Sequence, residues 1–146
     1  LGREEDCAAI RANFPIPEQY ELFYFEVDIL DKGEMGMEIG IGFCTKAASL
    51  NEMAGCEDSS WGYHGDDGRI FFNSRGGKPY GPKFMTGDTI GCCLNFRNYT
   101  VFYTRNGVNL GIIFRNLKNA LYPCVGIWSP GGTVGANFGY KKFKYT

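Results

Sequence analysis

The sequence predicts an all-β chain, an antiparallel β-sandwich with little or no helix, and three observations predict it. Apolar and polar residues alternate in short runs at near-regular spacing, the pattern of half-buried strands. Phe (12), Tyr (9) and Gly (21) are abundant, and aromatics favour strands while glycine serves turns and close backbone contacts. Arg105-Asn106-Gly107 lies between two such runs, and Asn-Gly fits the primed hairpin turns that match strand twist.

Taken in order, residues 1–21 begin polar and end in Asn13-Phe14-Pro15-Ile16-Pro17, where two prolines exclude a continuous helix. They read as an arm packed on the sandwich through Ile10, Phe14 and Ile16. The first strand is Phe23 to Leu30, with Phe23, Phe25, Val27 and Ile29 on one face and Glu26 and Asp28 on the other. A turn at Asp31-Lys32-Gly33 leads through Glu34 and Met35 to a second strand. There Met37, Ile39, Ile41 and Phe43 alternate with Glu38, Gly40 and Gly42. Glycine at alternate positions flattens one face, so another backbone or a ring is expected against it. Ala47 to Ala54 is the only candidate helical turn. Ser59 to His64 reads as a short strand, Gly65 to Gly68 as a turn and Arg69 to Asn73 as the return strand, which puts Asp66 and Asp67 at a hairpin tip. Ser74 to Gly87 reads as a long loop. Ile90, Cys92, Leu94 and Phe96 mark the next strand; Thr100 to Thr104 and Val108 to Phe114 flank the Asn-Gly turn. Cys124 to Trp128 and the alternating Val134, Ala136 and Phe138 complete the set.

One domain over residues 1–146 is the expectation from length. A net charge of −1 without a basic face argues against nucleic acid as the ligand, and no apolar run approaches a membrane span. The start at Leu1-Gly2-Arg3 reads as an excised domain or a mature chain. The six cysteines include adjacent Cys92 and Cys93, which should point to opposite faces, and Cys44 and Cys124 sit in apolar strand patterns. Reduced thiols in a cytoplasmic or nuclear protein are the preferred reading.

The most enzyme-like cluster is Trp61-Gly62-Tyr63-His64-Gly65-Asp66-Asp67-Gly68, which holds the only histidine. Ser59, Ser60 or Cys56 would have to act as nucleophile, and no spacing selects one, so bracing of the turn is the expected role of His64. Glu57, Asp58, Asp66 and Asp67 lack the ligand spacing of a calcium hand, and the glycine pairs lack the helix of a phosphate cradle. No catalytic residue, metal or cofactor is expected. A lectin-like alternative would stack sugars on Trp61 or Trp128.

The ordered segments Ile10 to Pro17, Tyr24-Phe25-Glu26-Val27, Gly62 to Gly68, Pro79-Tyr80-Gly81-Pro82, Thr86 to Cys93, Phe102 to Gly107 and Ala136-Asn137-Phe138-Gly139 resemble a SPRY domain of the RanBPM-like family. The resemblance implies a bent, non-catalytic β-sandwich whose rim loops bind peptides or protein surfaces. It also implies a scaffold subunit of a GID/CTLH-type ubiquitin ligase, whose other subunits would be partners. Secreted SPRY effectors of plant-parasitic nematodes carry a similar Gly-Tyr-His-Gly-Asp-Asp-Gly segment and are the alternative. In SPRY proteins with a SOCS box, a pocket for Asn-rich peptides uses an Arg, a Tyr and a Trp. Trp128 matches the Trp, Phe71 stands at the Tyr, and only Lys32 is basic where the Arg would be, which argues against that peptide specificity. The expected partner-binding residues are Lys32, Glu34, Met35, Tyr63, His64, Asp66, Asp67, Phe71, Trp128, Ser129 and Pro130.

Overall fold

Period-two alternation decides which side of each strand is buried, and two sheets facing each other satisfy it throughout the chain. The computed structural model describes residues 8–17, 19, 21–33, 38–48, 54–56, 59–72, 76–117, 120–128 and 131–146. A six-stranded antiparallel sheet runs in the order β1 (Ala8–Arg11), β10 (Tyr122–Trp128), β3 (Glu38–Cys44), β4 (Ser60–His64), β5 (Arg69–Phe72), β6 (Lys78–Pro79). A five-stranded sheet runs β11 (Thr133–Asn137), β2 (Leu22–Asp31), β7 (Thr89–Asn95), β8 (Thr100–Arg105), β9 (Val108–Arg115). No helix occurs among the described residues, and residues 49–53 of the expected helical turn lie outside them.

The inner faces meet in one core. Phe25, Val27, Ile29, Ile90, Cys92, Leu94, Val101 and Tyr103 come from one sheet; Ile39, Ile41, Phe43, Trp61, Tyr63 and Ile70 come from the other. Each large apolar side chain so buried contributes on the order of 1.5–3 kcal/mol of transfer free energy. The Asn-Gly turn forms as expected: Asn106 and Gly107 both take positive φ, 50° and 86°.

Four expectations change. The arm contributes an edge strand, β1, whose Ile10 pairs with Val125. Ile10 and Phe14 are 66% and 80% exposed, and only Ile16 is buried. The inward side of β1 looks into an apolar groove of about 250 Å³, shared with Val125, Val134 and Phe138 and open to solvent, so Ile10 is not covered. The loop from Ser74 to Gly87 contains β6, which pairs Lys78 with Ile70 and has Pro79 on the sheet edge, where a missing N–H is tolerated. β11 stops at Asn137, and Phe138 lies beyond it, stacked on Phe25 at 5.6 Å. Glu26, on the outer face of β2, is 2% exposed because the C-terminal segment lies over it. The Lys144 and Tyr145 amides donate to its carboxylate at 3.0 and 3.2 Å, and the Tyr24 hydroxyl donates at 2.6 Å.

The glycine-flattened face is covered as alternation suggested. A methyl on Gly62 would lie 2.3 Å from the Ala54 carbonyl oxygen, so the segment at Ala54 and Gly55 rests directly on the sheet. Arg11 holds the start of that segment, donating to the Thr45 and Lys46 carbonyls with its guanidinium over the Tyr122 ring. Cys44, Ala54 and Cys124 form a small second cluster beneath it.

Candidate functional site

The stretch from Gly62 to Gly68 is the β4–β5 hairpin. Its turn closes through the Gly68 amide donating to the His64 carbonyl at 3.0 Å, with Gly68 at φ 71°. Asp67 is exposed, and its Oδ1 accepts from the Arg69 amide at 2.9 Å, the side-chain turn that aspartate favours. Asp66 beside it is half-buried.

Tyr63 and His64 leave the strand on opposite sides. Tyr63 points into the core and is 0% exposed. Its ring contacts Tyr80, Phe84 and Tyr103 at 5.4, 5.1 and 5.3 Å, and its hydroxyl donates to the Pro82 carbonyl. It holds the 80–84 segment in place and offers no surface to a partner. His64 points to the outer face, yet it too is 0% exposed, roofed by the Ala54 segment and by Phe71, whose ring stacks on it at 4.0 Å. A carbonyl can only accept, so Nε2–H donates to the Ala54 oxygen at 2.7 Å. Nδ1 is therefore the bare nitrogen, and it is buried without a hydrogen-bond partner. An orphaned buried acceptor of this kind costs about 1–3 kcal/mol. Burial pushes the imidazole below its ordinary pKa, against the pull of the Ala54 carbonyl and of Asp66 and Asp67. The expected bracing role of His64 matches this geometry. Ser60, one of the nucleophiles considered, accepts from the Gly55 amide at 2.7 Å and so serves the same roof.

Cross-strand register brings further groups to this outer face. Gly40 pairs with His64 and Trp128 pairs with Glu38, so Glu38 stands between Trp128 and the hairpin turn. Alternation placed Glu38 on the face of Gly40 and Gly42, and there its carboxyl meets Asp66. Partial burial, then the Asp66 charge and hydrogen bond, then Asp67, push Glu38 up to about 7. Phe71 pairs with Gly62 and is 6% exposed, pressed by Gly55 and Gly77, so it is part of the roof and not of the rim. Trp61 is 6% exposed in the core, which removes it as a sugar platform.

At the rim itself, a pocket of about 120 Å³ is lined by Lys32, Ile39, Gly65, Asp66, Lys83, Phe84 and Met85. The structure thus brings Lys32 and Asp66 together, adds Lys83 and the 52% exposed Met85, which sequence reasoning missed, and leaves Trp128 half-buried at the same strand end. Glu34, Met35, Ser129 and Pro130 lie outside the described residues. The Lys83–Met85 wall is pinned by Asp88, which accepts from the Met85 amide at 2.8 Å and from Asn106 Nδ2 at 2.9 Å and pairs with Arg105 at 3.4 Å.

Burial would raise the Asp88 pKa, but the hydrogen bonds from Asn106 and Met85 and the Arg105 charge outweigh it and hold the carboxyl below 3.8. A depressed folded-state pKa contributes stability above the unfolded value and loses it as pH falls through the folded one. Asp88→Asn should therefore be less stable than wild type by about 1–2 kcal/mol above about pH 5, and the gap should close below about pH 4. Paired urea melts across that range check it; a gap that persists in acid would show that the Asp88 charge contributes nothing.

A family model described as SPRY domain matches residues 22–141. A Ran-binding proteins 9/10 homolog of Drosophila melanogaster is 50% identical over 99% of this chain and 15% of its own length. Human Ran-binding protein 9 is 49% identical over 97% of this chain and 19% of its own, and an Arabidopsis thaliana Ran-binding protein M homolog is 36% identical over 96% and 30%. The chain thus spans a third or less of each of these relatives. A solved human SPRY domain superposes with a TM-score of 0.81 at 28% identity, covering 93% of this chain and 87% of that one. The SPRY domain of human HERC1, at 21% identity and a TM-score of 0.77 over 93% and 85%, shares the fold. A sandwich of this topology, matched by the family model over most of its length, places the chain in the SPRY domain family, similar to the domain of Ran-binding proteins 9 and 10.

Proposed function

We propose that this domain is a protein-interaction module without catalytic activity, which recruits a peptide or protein segment at the rim formed by Lys32, the β4–β5 turn and residues 83–85. The observation that carries the reading is the rim pocket, where Lys32 and Lys83 flank Asp66 beside an exposed Met85. Mixed charge around an apolar contact supports orientation of a polar peptide, with Trp128 and Met85 supplying buried area and Asp67 steering basic residues. Half identity to Ran-binding proteins 9 and 10 across the chain supports a recruiting part within a scaffold subunit of a GID/CTLH-type ubiquitin ligase in the cytoplasm or nucleus.

Affinity capture with the wild-type domain, quantified against Trp128→Ala and Asp67→Lys, tests the reading. Trp128→Ala should weaken capture of the strongest partner at least tenfold, roughly the effect of a hot-spot aromatic. Asp67→Lys should slow association and reduce its salt dependence. Unchanged capture by both variants, with unchanged melting curves, would place the binding surface elsewhere.

A further inference from the structure

The outer face beside the hairpin turn gathers an imidazole and two carboxyl groups, and two of the three carry a buried atom without a hydrogen-bond partner. One ligand atom each from Glu38, His64 and Asp66 lies within 4.8 Å of the other two. His64 is 0% exposed, and because Nε2–H is committed to the Ala54 carbonyl, the nitrogen left for a ligand is Nδ1, which is buried and unpartnered. Asp66 Oδ1 is likewise buried with no hydrogen-bond partner. These two orphans come from adjacent parts of one hairpin, and the cross-strand register brings Glu38 alongside them.

We propose that Glu38, His64 and Asp66 form a binding site for a divalent transition-metal ion of the zinc type. A cation answers the two orphaned atoms and the Glu38 carboxylate at once, in place of the Glu38–Asp66 hydrogen bond. The donor set, one imidazole nitrogen and two carboxylates, suits zinc and its first-row neighbours and not calcium, which takes six to eight oxygens. Metal-binding histidines are commonly oriented by the other ring nitrogen donating to a carbonyl or carboxylate, and the Ala54 carbonyl already fills that role. Zinc holds its ligands at roughly 2.0–2.2 Å, so the three atoms must draw together by about an ångström, within reach of two carboxylate side chains turning about their own bonds. Three protein ligands leave a position for water or for a donor from a bound partner. The site stands on this cluster alone and does not depend on the docking reading.

The test is calorimetric titration of the chelator-treated, thiol-blocked domain with zinc chloride, then with calcium chloride, alongside thermal melts. Wild type should bind one zinc ion and melt higher in its presence, and calcium should do neither. Glu38→Gln and Asp66→Asn, both of similar size to the originals, should each weaken zinc at least tenfold while their metal-free melts show a folded protein. Glu21→Gln, an exposed carboxylate just before β2 that pairs with Arg97, should bind as wild type does. Absence of zinc binding by the folded wild type, a preference for calcium, or zinc binding by Glu38→Gln and Asp66→Asn as tight as that of wild type would each overturn the site.

Discussion

Gly62→Ala is expected to destabilise the domain by about 2–3 kcal/mol, the usual range for overpacking a tight contact. In a melt of a chain this size that is a loss of roughly 5–10 °C. The added methyl would sit 2.3 Å from the Ala54 carbonyl oxygen and 2.8 Å from the Ala54 methyl, and the first of these is backbone that no rotamer change can move. The roof segment would have to lift, and His64 Nε2 would then lose the Ala54 carbonyl that it holds at 2.7 Å. Gly135→Ala is the matched control, since a methyl there meets only Leu30 Cδ1 at 3.6 Å, an ordinary contact. It should change stability by less than about 0.5 kcal/mol. Equal melting of the two variants would show that the roof does not press on the sheet.

The contrast explains what could be read from residues alone. The Gly65–Gly68 turn and the Asn106-Gly107 turn were legible because turn chemistry is local: glycine or asparagine takes positive φ wherever it falls. The core strands were legible because alternation is also local. Alternation further implied that Tyr63 and His64 part company, and grouping both into one rim wall set that implication aside. What no local pattern could show is which part of the chain covers an outer face. Glu26, Glu38 and His64 all lie on outer faces, and each is covered or half-covered by a different segment: the C-terminal segment, the hairpin turn and the Ala54 roof. Ile10 and Phe14 show the opposite error, apolar residues left exposed because no element among the described residues lies over the sandwich edge where they sit. The rim pocket was legible in part: Lys32 and Asp66 by resemblance and turn position, Lys83 and Met85 not at all, since their wall is set by Asp88 from farther along the chain.

Glu26→Ala should carry a comparable effect at the other sheet, about 2–4 kcal/mol, because it removes a charged acceptor from three donors at a buried position. The Tyr24 hydroxyl and the Lys144 and Tyr145 amides all donate to that one carboxylate. Around it, Phe143 and Tyr145 pack on Tyr24 at 4.8 and 5.6 Å, and Lys141 pairs with Asp28 at 2.6 Å. The Lys141 pair is exposed and contributes little by itself, and Asn137 holds the segment only as far as Lys141, so residues 144 and 145 depend on the Glu26 and ring contacts. Glu26→Gln separates charge from volume: it keeps the shape and one acceptor oxygen but turns an NH2 group toward the donors. Hydrogen exchange distinguishes the roles. In both variants the Lys144 and Tyr145 amides should exchange at least tenfold faster, with the alanine variant faster still, while amides of β7 follow only the global loss of stability. Were Glu26 an ordinary outward carboxylate, as alternation implies, neither substitution would alter exchange at the C-terminal segment.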